Sequence, residues 1–224
     1  MTTAISDQGV QFASGNIIDL RTSYPTTGTF TAGDIVFESS TAGRISGWKR
    51  LTTGANNVLG TDWLYFTELT LATSQATTSG TSIDFTGIPS WVKRVTLMFV
   101  GVSTNGTSIP QVQIGSGSVL TSGYSSGGSV IVSAVASSNS TTGFLTSGGT
   151  SDGAGTVRHG MATLTLVGSN VWTFQSVLGA SNSGETRIGG GSVTLSGTLD
   201  RLRLTTVGGT DTFDAGSVNI MYEG

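Results

Sequence analysis

Along most of the chain, apolar and polar residues alternate with a period of two. In MATLTLV, Ala162, Leu164 and Leu166 alternate with Met161, Thr163 and Thr165, and in RLRLTT, Leu202 and Leu204 alternate with Arg201 and Arg203. In VNIMYE, Val218, Ile220 and Tyr222 alternate with Asn219, Met221 and Glu223. Such a pattern puts one set of side chains on a buried sheet face and the other in water. No window has helical periodicity. Gly, Ser and Thr interrupt every useful run, and only Pro89–Arg94 is a candidate for a single turn begun by proline. The chain therefore reads as all-β.

Turn dipeptides that accept positive φ, Asn105-Gly106, Asp152-Gly153 and Gly208-Gly209, mark strand ends. Between Thr70 and Gly224 the pattern predicts eight to ten strands, centred near 83–86, 92–102, 110–115, 129–136, 142–146, 160–167, 171–178, 186–196, 200–207 and 217–222. Their spacing suits a jelly-roll-like antiparallel β-sandwich. Val95–Val102 is apolar on both faces, as a central strand or one covered by a neighbouring subunit would be.

The first seventy residues differ. GDIVF at Gly33–Phe37 and GWKRL at Gly47–Leu51 read as two brief strands joined by a loop, and WLYF at Trp63–Phe66 is a dense aromatic cluster. The polar stretch Leu71–Ser82 that follows reads as a connector. The expected organisation is a small β-rich unit over 1–70, for attachment and association with its own copies, and a sandwich over 71–224.

Composition narrows the chemistry. Of 224 residues, 34 are Gly, 37 Thr and 31 Ser, while only 10% are charged. Ordinary domains carry roughly 25% charged residues, so hydroxyls and backbone solvate this surface. Net charge is -3 and the only lysines are Lys49 and Lys93, which excludes a phosphate-tracking nucleic-acid surface. The absence of Cys excludes disulfides, thiolate metal sites and cysteine nucleophiles. A single histidine, His159, cannot build a multi-histidine zinc site within one chain. Met1–Val10 has neither a basic stretch nor an apolar core, so no secretory leader is expected. No apolar run approaches the roughly 20 residues of a membrane-spanning helix, so no membrane insertion is expected either.

Two strings carry a resemblance. GTSIDFTGIPSWVKRVTLMFVGVSTNG (Gly80–Gly106) and LDRLRLTTVGGTDTFDAGSVNIMYE (Leu199–Glu223), with His159-Gly160 ahead of MATLTLV, resemble a domain found at the C-termini of bacteriophage tail-fibre and related tail proteins. GTFTAGDIVFE and GWKRLTTGANNVLGTDW resemble short β-rich units upstream in phage spikes and fibres. The resemblance implies a virion component, a homotrimer folded in the host cytoplasm. Its distal domain would contact a host-surface saccharide and its proximal unit would join other tail or baseplate proteins. Two alternatives stand beside it: a purely structural baseplate, tail-tip or capsid-decoration protein, and a soluble lectin-like module.

Candidate functional residues follow from this reading. Saccharides are held by aromatic platforms with polar groups around them. Tyr124 and Phe144, in Gly/Ser loops, are the expected platforms, with Asp152 and Arg158 as polar partners. Trp91 reads as structural or as a subunit contact, and Trp172 as core. Asp211 and Asp214 are the only close carboxylate pair, and their Gly-rich loop favours turn formation over a catalytic dyad or a calcium site. His159 is either a structural imidazole donating to a backbone carbonyl or, in a trimer, one of three ligands at a shared axis. No catalysis and no cofactor are expected.

Overall fold

In the computed structural model, which describes residues 4–6, 9–12, 14–39, 46–67, 69–132, 135–149 and 152–224, every regular element is a strand. Two compact units divide the chain, Met1–Leu69 and Thr70–Gly224.

In the first unit, β1 (Ala4–Ser6), β2 (Gly9–Gln11), β3 (Ile17–Arg21), β4 (Ile35–Glu38), β5 (Ser46–Arg50) and β6 (Trp63–Thr67) form one sheet in chain order. Neighbours are antiparallel except β3 and β4, which run parallel. The two brief strands expected around Val36 and Trp48 are β4 and β5, and the WLYF cluster is β6, with Trp63 buried and Leu64 outward. Phe30, Val36, Trp48 and Trp63 form a small core. With so little apolar area, polar side chains organise the loops. Arg50, 1% exposed, donates to the Thr52 and Gly54 carbonyls and to Asn57 Oδ1, and its guanidinium lies 5.3 Å from the Trp63 ring centre. Asp62 accepts from the Thr52 hydroxyl and the Val58 amide, which hold its carboxyl below the usual range.

The second unit is an antiparallel β-sandwich. Its strands are β7 (Thr70–Leu71), β8 (Gln75–Ala76), β9 (Ser82–Thr86), β10 (Arg94–Thr104), β11 (Pro110–Ser116), β12 (Ser118–Val119), β13 (Ser125–Ile131), β14 (Ala136–Ser140), β15 (Phe144–Leu145), β16 (Arg158–Gly168), β17 (Val171–Ala180), β18 (Glu185–Thr194), β19 (Arg201–Thr206) and β20 (Phe213–Glu223). The large sheet runs β14-β13-β18-β17-β16-β10-β20-β7, with β8 also on β20. The small sheet runs β12-β11-β19-β9, with β15 also on β11. Inward side chains of both sheets, among them Val95, Leu97, Leu164, Phe174, Val112, Ile114, Leu202 and Leu204, form one core. β17 alternates buried and outward positions along almost its whole length, as period-two patterning requires.

Two expectations change and a third holds. The stretch after residue 70 is no free connector: β7 and β8 pair with β20, through Leu71↔Met221 and Gln75↔Val218. Polar composition concealed this, because edge pairing uses backbone groups rather than side chains. The strand expected over 129–136 is a hairpin, β13 and β14, whose residues 133 and 134 lie outside the described set. Pro89 does begin a turn, closed by Val92 N–H donating to its carbonyl.

Val95–Val102 is a central strand. β10 lies between β16 and β20, and a bulge after Phe99 breaks its register with both. Gly101 supplies the positive φ of 68° that the bulge needs. On the inner face of the large sheet, Gly128 and Gly189 admit the 145–147 backbone, since a Cβ at either would collide with the Ser147 or Leu145 carbonyl. That close approach seats β15 across the sandwich.

Candidate binding face

The structure takes the four expected ligand residues out of reach. Tyr124 is 2% exposed and Phe144 0%. The Tyr124 hydroxyl bonds the Ile114 amide and carbonyl and the Leu120 carbonyl, and its ring meets Phe144 edge-on at 4.8 Å. Phe144 in turn stacks on Phe174 at 4.8 Å. Both rings are core. Their Gly/Ser surroundings suggested exposure, yet β15 and the segment before β13 fold inward and bury them. Burial pushes the Tyr124 phenol up to about 12.

Asp152 and Arg158 are interior as well. Arg158 Nη2 meets Asp152 Oδ2 at 2.5 Å, and Arg187 pairs with both Asp152 and Glu185. Thr156 O and Ser147 Oγ take further guanidinium protons, at 3.0 and 2.9 Å. Burial pulls the Arg158 guanidinium below its ordinary value, and Asp152 opposes that pull. Two buried cations and two carboxylates thus tie the 152–158 loop to β16 and β18. This cluster holds the fold and is closed to a saccharide.

His159 stands on the outer face of the large sheet and accepts, at Nδ1, the Gly101 amide proton at 3.2 Å. Its role at the bulge is that of an acceptor, where a donor had been expected. No group of three or more metal-ligating side chains occurs among the described residues. Asp211 accepts the Ser108 amide at 2.7 Å beneath Gly106, and Asp214 accepts the Ser103 hydroxyl. Asp211 braces a neighbouring loop instead of its own, and Asp214, which lies within β20, ties that strand to β10. Trp172 is core, and half-buried Trp91 packs on Tyr222 at 5.7 Å.

The accessible polar chemistry lies on the outer face of the small sheet. Alternation in IDF, RLR and PQVQ points Asp84, Arg203, Gln111 and Gln113 away from the core, opposite Phe85, Leu204, Val112 and Ile114, but only Asp84 and Arg203 reach solvent, since Gln111 and Gln113 are buried beneath residues 142–143. Arg203 stands directly across from Asp84 on β9 and across from Gln113 on β11. Arg203 Nε and Nη2 each donate to an Asp84 oxygen at 2.7 Å, a bidentate pair that holds the guanidinium above its ordinary value. Arg203 lines a depression of about 320 Å³ with Ser82, Gln111, Gln113, Thr142 and Thr205. The amides are preset: Gln113 donates to the Thr142 carbonyl at 2.8 Å, and Thr142 Oγ1 bonds Gln111 Oε1 at 3.1 Å. Asp84 lines a second depression of about 230 Å³ with Gln75, Thr86 and Tyr222. The ion pair therefore stands between the two depressions, with hydroxyls of Ser82, Thr142 and Thr205 on one side and Gln75, Thr86 and the half-buried Tyr222 ring on the other.

Comparison of the chain with family models, with characterised proteins and with solved structures finds no match. Reading residues one by one passed over Asp84, Arg203, Gln111 and Gln113. The usable signal was the alternation itself, which already placed Arg201 and Arg203 outward. Their partners on β9 and β11 follow from strand pairing alone.

Proposed function

We propose that this chain is an attachment protein of a bacteriophage particle, a tail-fibre or tail-tip component that binds a host-surface saccharide and assembles as a homotrimer. The strip built around Arg203–Asp84 carries the reading. A neutral polyhydroxylated ligand needs spatially fixed donors and acceptors, with little net charge to repel or overbind it. Here the arginine is neutralised by its aspartate, and the buried amides of Gln111 and Gln113 fix Thr142 at the edge of the strip before a ligand arrives. The small β-rich unit with its polar-braced core would join the tail, and the particle is the site of action. The role is adhesion, without a bond-breaking step.

Binding of purified protein to host lipopolysaccharide and capsular polysaccharide tests this reading, together with competition against particle adsorption. Wild type should bind and compete, Arg203→Ala should lose at least about tenfold in affinity, and no new reducing ends should appear. A protein that neither binds host glycans nor slows adsorption ends the receptor reading. A second reading, a structural virion component without receptor contact, draws support from the burial of the sandwich's rings. Among the described residues, Trp91 and Tyr222 are its most accessible aromatics, and both are half-buried.

A further inference from the structure

The outer face of the large sheet is built differently from any surface that only faces water. One transverse register row crosses six strands: Ser129 on β13, Ile188 on β18, Val177 on β17, Met161 on β16, Met98 on β10 and Asn219 on β20. Four consecutive members are apolar. Val177 is 63% exposed, Met161 58% and nearby Val100 59%. Outward positions of β16, β17 and β18 in this region carry no Asp, Glu, Lys or Arg.

Glycine provides a second, independent mark. Gly127, Gly179 and Gly190 point outward in strand interiors without positive φ, and a Cβ at any of them would meet nothing closer than 3.6 Å. Each costs about 0.5–1 kcal/mol against alanine in a strand, and no contact inside the chain calls for it. Strand glycines without an internal reason mark places where another backbone comes close. Gly127 and Gly190 floor a groove of about 400 Å³ whose wall includes Ile188, Ser137 and Asn139.

We infer that this face is a self-association surface and that its occupant is a second copy of this chain. The inference rests on the assembled form in the proposed function and names its contact. Two features select a copy over another partner. Arg94 and Glu223, at its margin, pair with each other, so its β16–β18 centre can meet itself without like charges colliding, whereas a charged partner would leave its own ions buried and unpaired. The face also carries both halves of a contact, Met161 and Val177 standing proud on one side and the glycine-floored groove on the other. A knob-to-groove contact between copies is heterologous, and it closes into a ring when the rotation is a third of a turn. Its extent suffices. Six strands at roughly 4.8 Å, read over about seven residues of roughly 3.3 Å, give on the order of 600–700 Å² per chain, against about 800 Å² per partner in a standard interface.

Light scattering and sedimentation across a concentration series test the inference. Wild type should sediment at three times 22.8 kDa, and Met161→Asp/Val177→Asp should raise the dissociation constant about a hundredfold or more with an unchanged circular-dichroism spectrum. Gly190→Val should leave the single chain intact, because its Cβ meets only the Phe174 carbonyl at an ordinary 3.7 Å, and should still weaken assembly about tenfold by filling the groove. Val207→Asp, an exposed valine beyond β19, should leave the mass unchanged. A wild type that stays at one chain mass at every concentration overturns the inference, as does a double variant that stays assembled. Glycan binding is scored separately: assembly without glycan binding defeats the receptor reading alone, and glycan binding by a single chain defeats this inference and the homotrimer with it while leaving the receptor reading standing.

Discussion

The two outer faces of the sandwich share one core and carry opposite chemistry. On the small sheet, Asp84 and Arg203 stand among the amides of Gln111 and Gln113, each side chain held by a named bond. On the large sheet, Met98, Met161, Val177 and Ile188 cross the strands among threonines and glycines, with no charge between them. A polar face with preset donors is suited to selecting a soluble, hydroxylated ligand. An apolar face with knobs on one side and bare backbone on the other is suited to excluding water against a second copy of itself. The contrast shows how one period-two pattern can serve two partners, since each strand spends half its residues on the core and leaves the other half to its own sheet's outer surface.

The strongest way to break this comparison is to remove what both faces stand on. Asp152→Asn should leave Arg158 and Arg187 short of their shared counter-charge inside the protein. Losing one partner of a buried ionic cluster costs about 3–5 kcal/mol. Thermal unfolding should fall by about 10 °C or more, with glycan binding and assembly lost together. Retention of either would mean that the faces are less dependent on the common interior than the geometry requires.

Tyr124→Phe sharpens the same point with a smaller effect. It removes the hydroxyl that bonds Ile114 and Leu120 and should cost about 1–3 kcal/mol by denaturant titration. It also carries a pH signature. Burial raises the phenol of the folded protein to about 12 from its ordinary 10.0, so its contribution is complete below pH 10 and is lost as the pH rises towards 12. Wild type should lose stability across that alkaline window, and the phenylalanine variant should show a flatter slope there.

Single-face changes come next. Arg203→Ala should weaken glycan binding while changing stability by no more than about 1 kcal/mol, because its ion pair is partly solvated. Assembly mass should be untouched. Raising sodium sulfate should give the smallest effect and the cleanest separation. It should strengthen association through the apolar face while leaving glycan binding within about twofold, the Arg203 charge being already paired. Parallel salt responses at both faces would erase the distinction.

Much of the sandwich was legible beforehand, and for one reason. Alternation is local, so MATLTLV, RLRLTT and VNIMYE announced β16, β19 and β20 within a few residues of their observed ends. The long apolar run at Val95–Val102 correctly indicated a strand with neighbours on both edges. The candidate site was much less legible. Loop residues Tyr124 and Phe144 looked exposed because their neighbours are Gly and Ser, but those neighbours are small so that the chain can turn inward. Asp152 and Arg158 looked like surface polar groups because their buried partner, Arg187, lies far along the chain on another strand.

What the order of residues determined by itself, then, is the all-β character, the positions of the long alternating strands such as β16, β17 and β19, the boundary near residue 70 and the side of those strands that faces inward, because all of these depend on neighbours two or four positions apart. Tertiary structure decided the rest. It set Asp84 across from Arg203, lined up Met98, Met161, Val177 and Ile188 in one row, closed Asp152, Arg158 and Arg187 into the interior and laid residues 70–76 along β20. Each of these joins residues remote in the chain, and only hydrogen bonding between strands brings them within reach.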